Sequence, residues 1–300
     1  MRNELNTDFL YYLMKPFFCN ICHSSKSLNE VRSIQSPYYD LCYMLYQCTV
    51  CNSQQFDINE HTLLDQIVFY DSIANEQVDS DKSFSPSHYW KHQVEFIKRI
   101  IDRPVLSVLD IGCRTGDFLL HWPNHTKLIG VEISMTSANV ARNRGLMVYQ
   151  SPIEDIDELG KFDVVSCHAI LEHLTNPEKI FTKFEDIVSE NGILVIMIPS
   201  YQTFKLKILD FFNLSWHMYS PPEHLNLYSR EYLDKFLMSQ GFVLKDRRYT
   251  SGGMFNPFPS MHVGGKVFGK SIQALEKLTL IDRFPIFDHM YSYYIKYPVL

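Results

Sequence analysis

The stretch Val105-Leu-Ser-Val-Leu-Asp-Ile-Gly-Cys-Arg-Thr-Gly-Asp117 constrains this chain more than any other. An apolar run that stops at two closely spaced glycines reads as a buried parallel strand ending in a tight turn. At Gly112 and Gly116 a β carbon would hold a ligand away from the main chain. A positive φ there would cost any other residue ~1 to 2 kcal/mol. The following residues are read as a helix whose first N–H groups point into the turn. Glu132 stands 22 residues after Asp110, at the end of the next strand. A carboxylate in that place can accept hydrogen bonds from both hydroxyls of a ribose. The turn is therefore a place for a nucleotide-like cofactor.

Beyond it the pattern alternates. Strands are expected over 105–110, 127–132, 146–150, 162–167 and 192–198, short and apolar enough to be covered on both faces. Helical spacing is expected over 88–101, 116–122, 136–144 and 177–188, and a further helix and strand over 230–240 and 241–249. This rhythm predicts an α/β fold with a doubly wound and mostly parallel sheet, and the pairs Cys19/Cys22 and Cys48/Cys51 ahead of it add a small N-terminal zinc ribbon. The chain divides into a ribbon-like segment at 1–60, a main domain at 61–250 and an aromatic-rich C-terminal extension at 251–300. The main domain has a helical lead-in at 61–103, with a polar break at 79–86, and an aromatic, proline-bearing insert at 201–228. The periodicity of 251–300 is too weak to assign.

A nicotinamide site would show G-x-G-x-x-G, whereas these glycines fit a shorter G-x-x-x-G frame. The run Val108-Leu-Asp-Ile-Gly-Cys-Arg-Thr-Gly-Asp-Phe118 resembles the first motif of class I S-adenosylmethionine-dependent methyltransferases. The resemblance continues through Leu128-Ile-Gly-Val-Glu-Ile-Ser134, Ser151-Pro-Ile-Glu-Asp155, the segment Lys161 to Pro177 and Asn191-Gly-Ile-Leu-Val-Ile-Met-Ile-Pro199. These motifs run in order over roughly residues 100 to 245. The resemblance implies S-adenosyl-L-methionine as cofactor. It puts Asp110 and the backbones of Gly112 and Gly116 beside the methionine moiety, Glu132 on the ribose and Ile133 on the adenine. Ile153, Glu154 and Asp155 would border the adenine, and Cys167 and His168 would line the site at the end of the fourth strand. Arg114 stands where the family has its middle glycine. Either its side chain is tolerated there, for instance paired with the cofactor carboxylate, or cofactor binding has decayed and left an interaction protein on the same fold.

Cys19-Asn-Ile-Cys22 and Cys48-Thr-Val-Cys51 form two C-x-x-C pairs with 25 residues between them. Four thiolates suit one tetrahedral Zn2+ and leave it no open position, so a structural ion is expected. The gap exceeds the common ~15 to 20 residues, and His23 and Asn52 replace the glycine that usually follows each pair. The other cysteines, Cys42, Cys113 and Cys167, read as small core residues.

The 28 basic and 34 acidic side chains give a net charge of -6, and no dense Lys/Arg run exists. Nucleic acid is therefore not expected as a partner. No apolar run reaches the ~18 residues of a membrane span. The apolar stretch at 9–18 lacks the flanks and cleavage site of a signal peptide, so a cytoplasmic chain with reduced cysteines is expected. The partner expected is a small-molecule acceptor; the number of subunits is left open.

Methyl transfer from a sulfonium needs the acceptor aligned and water excluded, and an alcohol acceptor also needs its proton removed. His173, at the carboxyl edge of the sheet, and His224, at the end of the insert, are the candidate bases. A residue packing the sheet edge is the plainer account of His173, and a hydrogen bond at a helix entry that of His224. The aromatics Phe211, Phe212, Trp216, Tyr219 and Tyr228 are candidates for the acceptor pocket, with loop packing as the plainer account. The activity expected is O-methylation of a sugar or similar polar metabolite. Methylation of protein or RNA, with the ribbon as recognition module, is the weaker alternative.

Overall fold

A computed structural model of the chain describes residues 18–25, 28–57, 87–250 and 280–298. The segment at 62–86 and most of 9–18, read above as a helical lead-in and as an apolar stretch, lie outside the described residues.

Eleven described strands form two sheets. The large sheet is ordered β10-β11-β8-β7-β4-β5-β6. Its strands are β4 (Ser107–Ile111), β5 (Lys127–Val131), β6 (Met147–Tyr149), β7 (Phe162–His168), β8 (Val188–Pro199), β10 (Phe242–Thr250) and β11 (His289–Lys296). β4 pairs in parallel with β5 and β7, β5 with β6, and β7 with β8. Only β11 runs against the rest, antiparallel to both β8 and β10. The described α-helices are α1 (Ser87–Ile101), α2 (Met135–Asn143), α3 (Glu178–Ile187), α4 (Phe204–Phe211) and α5 (Arg230–Ser239).

The period-2 geometry of the strands divides the core. One face carries Leu109, Ile111, Val165, Cys167, Leu194 and Ile196 against Phe181 and Phe184 of α3 and Leu233 and Leu237 of α5. The other carries Val108, Val164, Ile193 and Val195 against Val94 and Ile97 of α1 and Ala138 and Ala141 of α2. β11 feeds both layers, with Met290 and Tyr294 in the first and Tyr291 and Tyr293 in the second. Part of the stretch left unassigned in the sequence thus occupies an interior place in the sheet. A strand buried on both faces shows no hydrophobic alternation to read.

The helix expected over 116–122 is absent. Gly116 holds φ +83°, and only a 3-10 turn, Leu119–His121, follows before Pro123. Helix and strand at 230–240 and 241–249 form as expected, with Ser229 accepting from the N–H of Tyr232 as the N-cap of α5.

The small sheet is ordered β1-β2-β3-β9 and is entirely antiparallel. β1 (Leu28–Gln35), β2 (Cys42–Cys48) and β3 (Gln54–Phe56) come from the N-terminal segment, but β9 (Asn226–Leu227) comes from the insert. Ile34, Tyr43, Leu45 and Phe56 share a core with Tyr201, Leu206, Trp216, Met218 and Tyr219. The ribbon's sheet and the insert therefore share one core, while the ribbon's cysteine knuckles pack into the core of the large sheet. Trp216 and Tyr219 are sealed inside it rather than lining a pocket, while Phe211 and Phe212 are exposed.

Candidate functional site

The carboxyl ends of β4, β5 and β7 bring the cofactor candidates together. Asp110, the fourth residue of β4, is buried, and one carboxylate oxygen accepts from Ser166 Oγ at 2.7 Å. That same oxygen lies 3.4 Å from Nδ1 of His168, the last residue of β7. The His168 ring is enclosed by Phe118, Trp90 and Tyr291, with centroids 4.9, 5.1 and 5.7 Å away. Neither of its buried nitrogens has a hydrogen-bond partner. Buried polar atoms in that state are rare, and a polar ligand group would satisfy them.

The turn itself is held by backbone geometry. Gly112 and Gly116 have φ of +74° and +83°. A Cβ on Gly112 would stand 2.2 Å from Ile170 Cδ1, and one on Gly116 would stand 2.1 Å from Leu146 Cδ1. Both glycines are thus required by conformation and by close packing of the protein on itself. Arg114 takes φ +49°, the left-handed region that a glycine would occupy freely. Its N–H donates to Glu132 at 2.9 Å, so the loop keeps its shape with a side chain present. Burial disfavours the Arg114 charge, while the carboxylates of Glu132 and Asp117 favour it.

Glu132 is 7% exposed, and its second oxygen accepts from the Ser134 N–H at 2.8 Å. Burial raises its pKa, and these two N–H donors act against that rise. A carboxylate offers about four acceptor positions, so two remain for the hydroxyls of a ribose. Ile133 beside it is 64% exposed, an apolar surface open to a ligand. These residues fit S-adenosylmethionine. The side chain of Cys167 does not reach the site, because it is fully buried in the sheet's other face. Ile153 is also in that core, and Glu154 and Asp155 line a shallow surface cleft with Lys179 and Lys183 of α3.

A second polar cluster follows β7. Ala169, at φ +52°, turns the chain into a 3-10 turn, Leu171–His173. His173 Nδ1 lies 2.7 Å from the carbonyl of Glu223, and His224 Nδ1 lies 2.9 Å from that of Met218. The two rings are 5.0 Å apart. Glu172, missed in the sequence reading, is 1% exposed beside them, and burial pushes its carboxyl up to about 7. The signal was present as an acidic residue next to a candidate histidine, but burial cannot be read from one sequence position. Burial also lowers the pKa of both histidines and keeps them neutral. The ribbon holds this cluster in place. Ser36 Oγ donates to the carbonyl of Pro221, and Tyr38 Oη donates to the Glu223 carboxylate.

The four cysteines of the N-terminal pairs meet, with every Sγ within 4.8 Å of the others. Cys19 and Cys51 are 3.6 Å apart, and Cys22 and Cys48 are 3.7 Å apart. Sulfurs at ~2.3 Å from a tetrahedral zinc stand about 3.8 Å apart. The two knuckles repeat one loop. His23 and Asn52 take φ +55° and +60° and donate to the carbonyls of Cys19 and Cys48. They adopt the left-handed turn for which glycine is the usual choice. The hydrogen bond from Cys19 draws the Cys51 thiol down, whereas burial pushes the Cys22 thiol up.

Comparison with known proteins agrees with this geometry. The chain shares 32% identity over 145 residues with an uncharacterized protein of Methanocaldococcus jannaschii, 47% of this chain and 66% of that protein. It shares 27% over 136 residues with the ubiquinone biosynthesis O-methyltransferase of Rickettsia conorii, 42% of this chain and 46% of that enzyme. The matched stretches thus span between about half and two thirds of these relatives. Among solved structures, a plantazolicin methyltransferase, BamL, in complex with a substrate analogue and SAH superposes with a TM-score of 0.53. It is 16% identical and covers 80% of this chain and 97% of its own. That likeness shows the fold. A sequence model described as a methyltransferase domain matches residues 84–246, more than half of the chain. With the doubly wound sheet, the glycine turn and the ordered motifs, the chain belongs to the class I S-adenosylmethionine-dependent methyltransferases.

Proposed function

We propose that this protein transfers the methyl group of S-adenosylmethionine to an oxygen of a small polar molecule, a sugar or similar metabolite. The observation that carries the reading is the Asp110–His168 pair and Glu132 at adjoining strand ends, with buried polar capacity unsatisfied by protein. Asp110 and His168 would hold the polar end of the methionine moiety, and Glu132 would accept from the ribose. When bound, the cofactor supplies a methyl group on a positively charged sulfur with a neutral leaving group. The chain's own work is to align the acceptor, exclude water and provide for the acceptor proton. The acceptor oxygen would take the methyl group while its O–H proton passes to water, with the neutral thioether as the other product.

The acidic balance supports a small acceptor over nucleic acid. Among the described residues, no helix is long and apolar enough to cross a membrane. The four cysteines would hold a structural zinc, since four close thiolates repel one another unless a cation lies between them. Arg114 is compatible with binding, because its N–H still reaches Glu132 from the left-handed region.

Calorimetry with S-adenosylhomocysteine tests the reading directly. One site per chain is expected in the wild type, with strong weakening in Asp110→Ala. Absence of heat at millimolar ligand, with binding restored by Arg114→Gly, would instead identify a silent interaction protein.

A further inference from the structure

We infer that Glu172, His173 and His224 form the site of a divalent transition-metal cation that holds the oxygen acceptor. One ligand atom from each residue lies within 4.8 Å of the other two. His173 Nε2 and Glu172 Oε1 are 4.0 Å apart. Nitrogen and oxygen ligands at ~2.1 Å on a tetrahedral ion stand about 3.4 Å apart, so side-chain torsions need close a gap of only about 1.4 Å at most.

The hydrogen bonds around the cluster are those a metal site requires. A backbone carbonyl can only accept, so the contacts to Glu223 and Met218 put the proton of each ring on Nδ1. The lone pair of each imidazole is then on Nε2. Metal-ligating histidines are oriented in this way by a carbonyl on the other nitrogen. Glu172 supplies the independent observation. Its residue is 1% exposed, and its Oε2 is buried with no hydrogen-bond partner. A carboxylate oxygen withdrawn from water without a donor of its own is costly, and a cation among these three groups offsets that cost.

Two imidazoles and one carboxylate are a set suited to Zn2+, Mn2+, Fe2+ or Co2+, and they leave coordination positions open. This distinguishes the cluster from the four cysteines, which fill the shell of their ion. The open positions would take the acceptor oxygen, and the cation would acidify its O–H so that the proton leaves to water. The histidines then act as ligands, in place of the general bases expected from the sequence. The cation's part in catalysis rests on the methyl-transfer reading; its binding does not.

The test is a Mn2+ titration of the full, zinc-loaded chain followed by electron paramagnetic resonance. Mn2+ is a hard cation that avoids thiolate sites, so the cysteines do not contribute. One Mn2+ per chain is expected. Glu172→Gln and His224→Gln should weaken it by more than the ~10- to 100-fold that loss of an outer hydrogen-bond partner costs. S-adenosylhomocysteine affinity, measured on the same samples, should stay within a few-fold and reports that each variant is folded. Zn2+ or Co2+ uptake beyond the ion of the cysteines, lost in the same variants, would equally support the site. No uptake of any of the three ions, or uptake unchanged in Glu172→Gln, overturns it. Metal uptake without S-adenosylhomocysteine binding would keep the site and reject the methyl-transfer reading.

Discussion

The two polar clusters on the carboxyl edge of the large sheet are assembled in different ways. The cofactor cluster, Asp110, Arg114, Glu132 and His168, comes from three neighbouring parallel strands within some sixty residues of chain. Its loop is held by main-chain N–H groups donating to Glu132 and by glycine conformations, all within the β4–β5 region. The second cluster, Glu172, His173 and His224, spans a similar length of chain, but its support is long-range. Its loop is gripped by Ser36 and Tyr38 of the ribbon, and the ribbon's sheet is completed by β9 of the insert. The first cluster should therefore survive damage to the ribbon, and the second should not.

The largest effect is expected from Cys48→Ser. Losing the ribbon's ion removes folding free energy on the order of 10 kcal/mol. Elemental analysis of the Mn2+-loaded protein should find one zinc in the wild type and almost none in the variant. Mn2+ binding and methyl transfer should collapse, while S-adenosylhomocysteine affinity changes only a few-fold. A variant that keeps its zinc refutes the four-thiolate site. One that loses zinc yet keeps Mn2+ breaks the claimed dependence of one cluster on the other.

Trp216→Ala attacks the same dependence without touching a thiolate. Trp216 is fully buried between ribbon and insert, and its Nε1 donates to Asp288 at 2.7 Å. Truncation of a buried aromatic costs ~3 to 5 kcal/mol. Chemical denaturation should show that loss, with the ribbon and His224 loop exchanging amide hydrogens faster than β4–β5. Uniform acceleration over both regions would mean that the two clusters are not separable.

Glu132→Ala acts on the other side of the comparison. It removes the acceptor for the Arg114 and Ser134 N–H groups, at a cost of ~1 to 3 kcal/mol. Cofactor-product affinity should fall by more than tenfold with Mn2+ affinity unchanged. Equal losses of both ligands would contradict the local character of the cofactor loop. Arg114→Gly is the mildest change. Relief of the left-handed conformation is worth ~1 to 2 kcal/mol, offset in part by the entropy glycine adds to the unfolded chain. A small rise in melting temperature is expected, and a fall would show that the arginine side chain holds the loop.

The strands β4 to β8 were legible because a doubly covered parallel strand writes itself as a short apolar run, and the turn after β4 because only glycine fits it. Both C-x-x-C pairs were legible from spacing, even though His23 and Asn52 supply the left-handed turns. The sequence did not reveal β11, whose tyrosines are shared between two faces and so show no period. Nor did it reveal that Trp216 and Tyr219 seal the ribbon to the insert instead of lining a pocket.

Taken alone, then, the order of residues determined the sheet's parallel core, the nucleotide-type turn and the thiolate set, because each depends on local conformation or on a short fixed spacing. Tertiary structure alone decided the rest. It buried Glu172 beside His173 and His224, turned the side chain of Cys167 into the core and enclosed His168 in three aromatic rings. Those outcomes depend on contacts between residues far apart in the chain, where burial rather than residue type sets the chemistry.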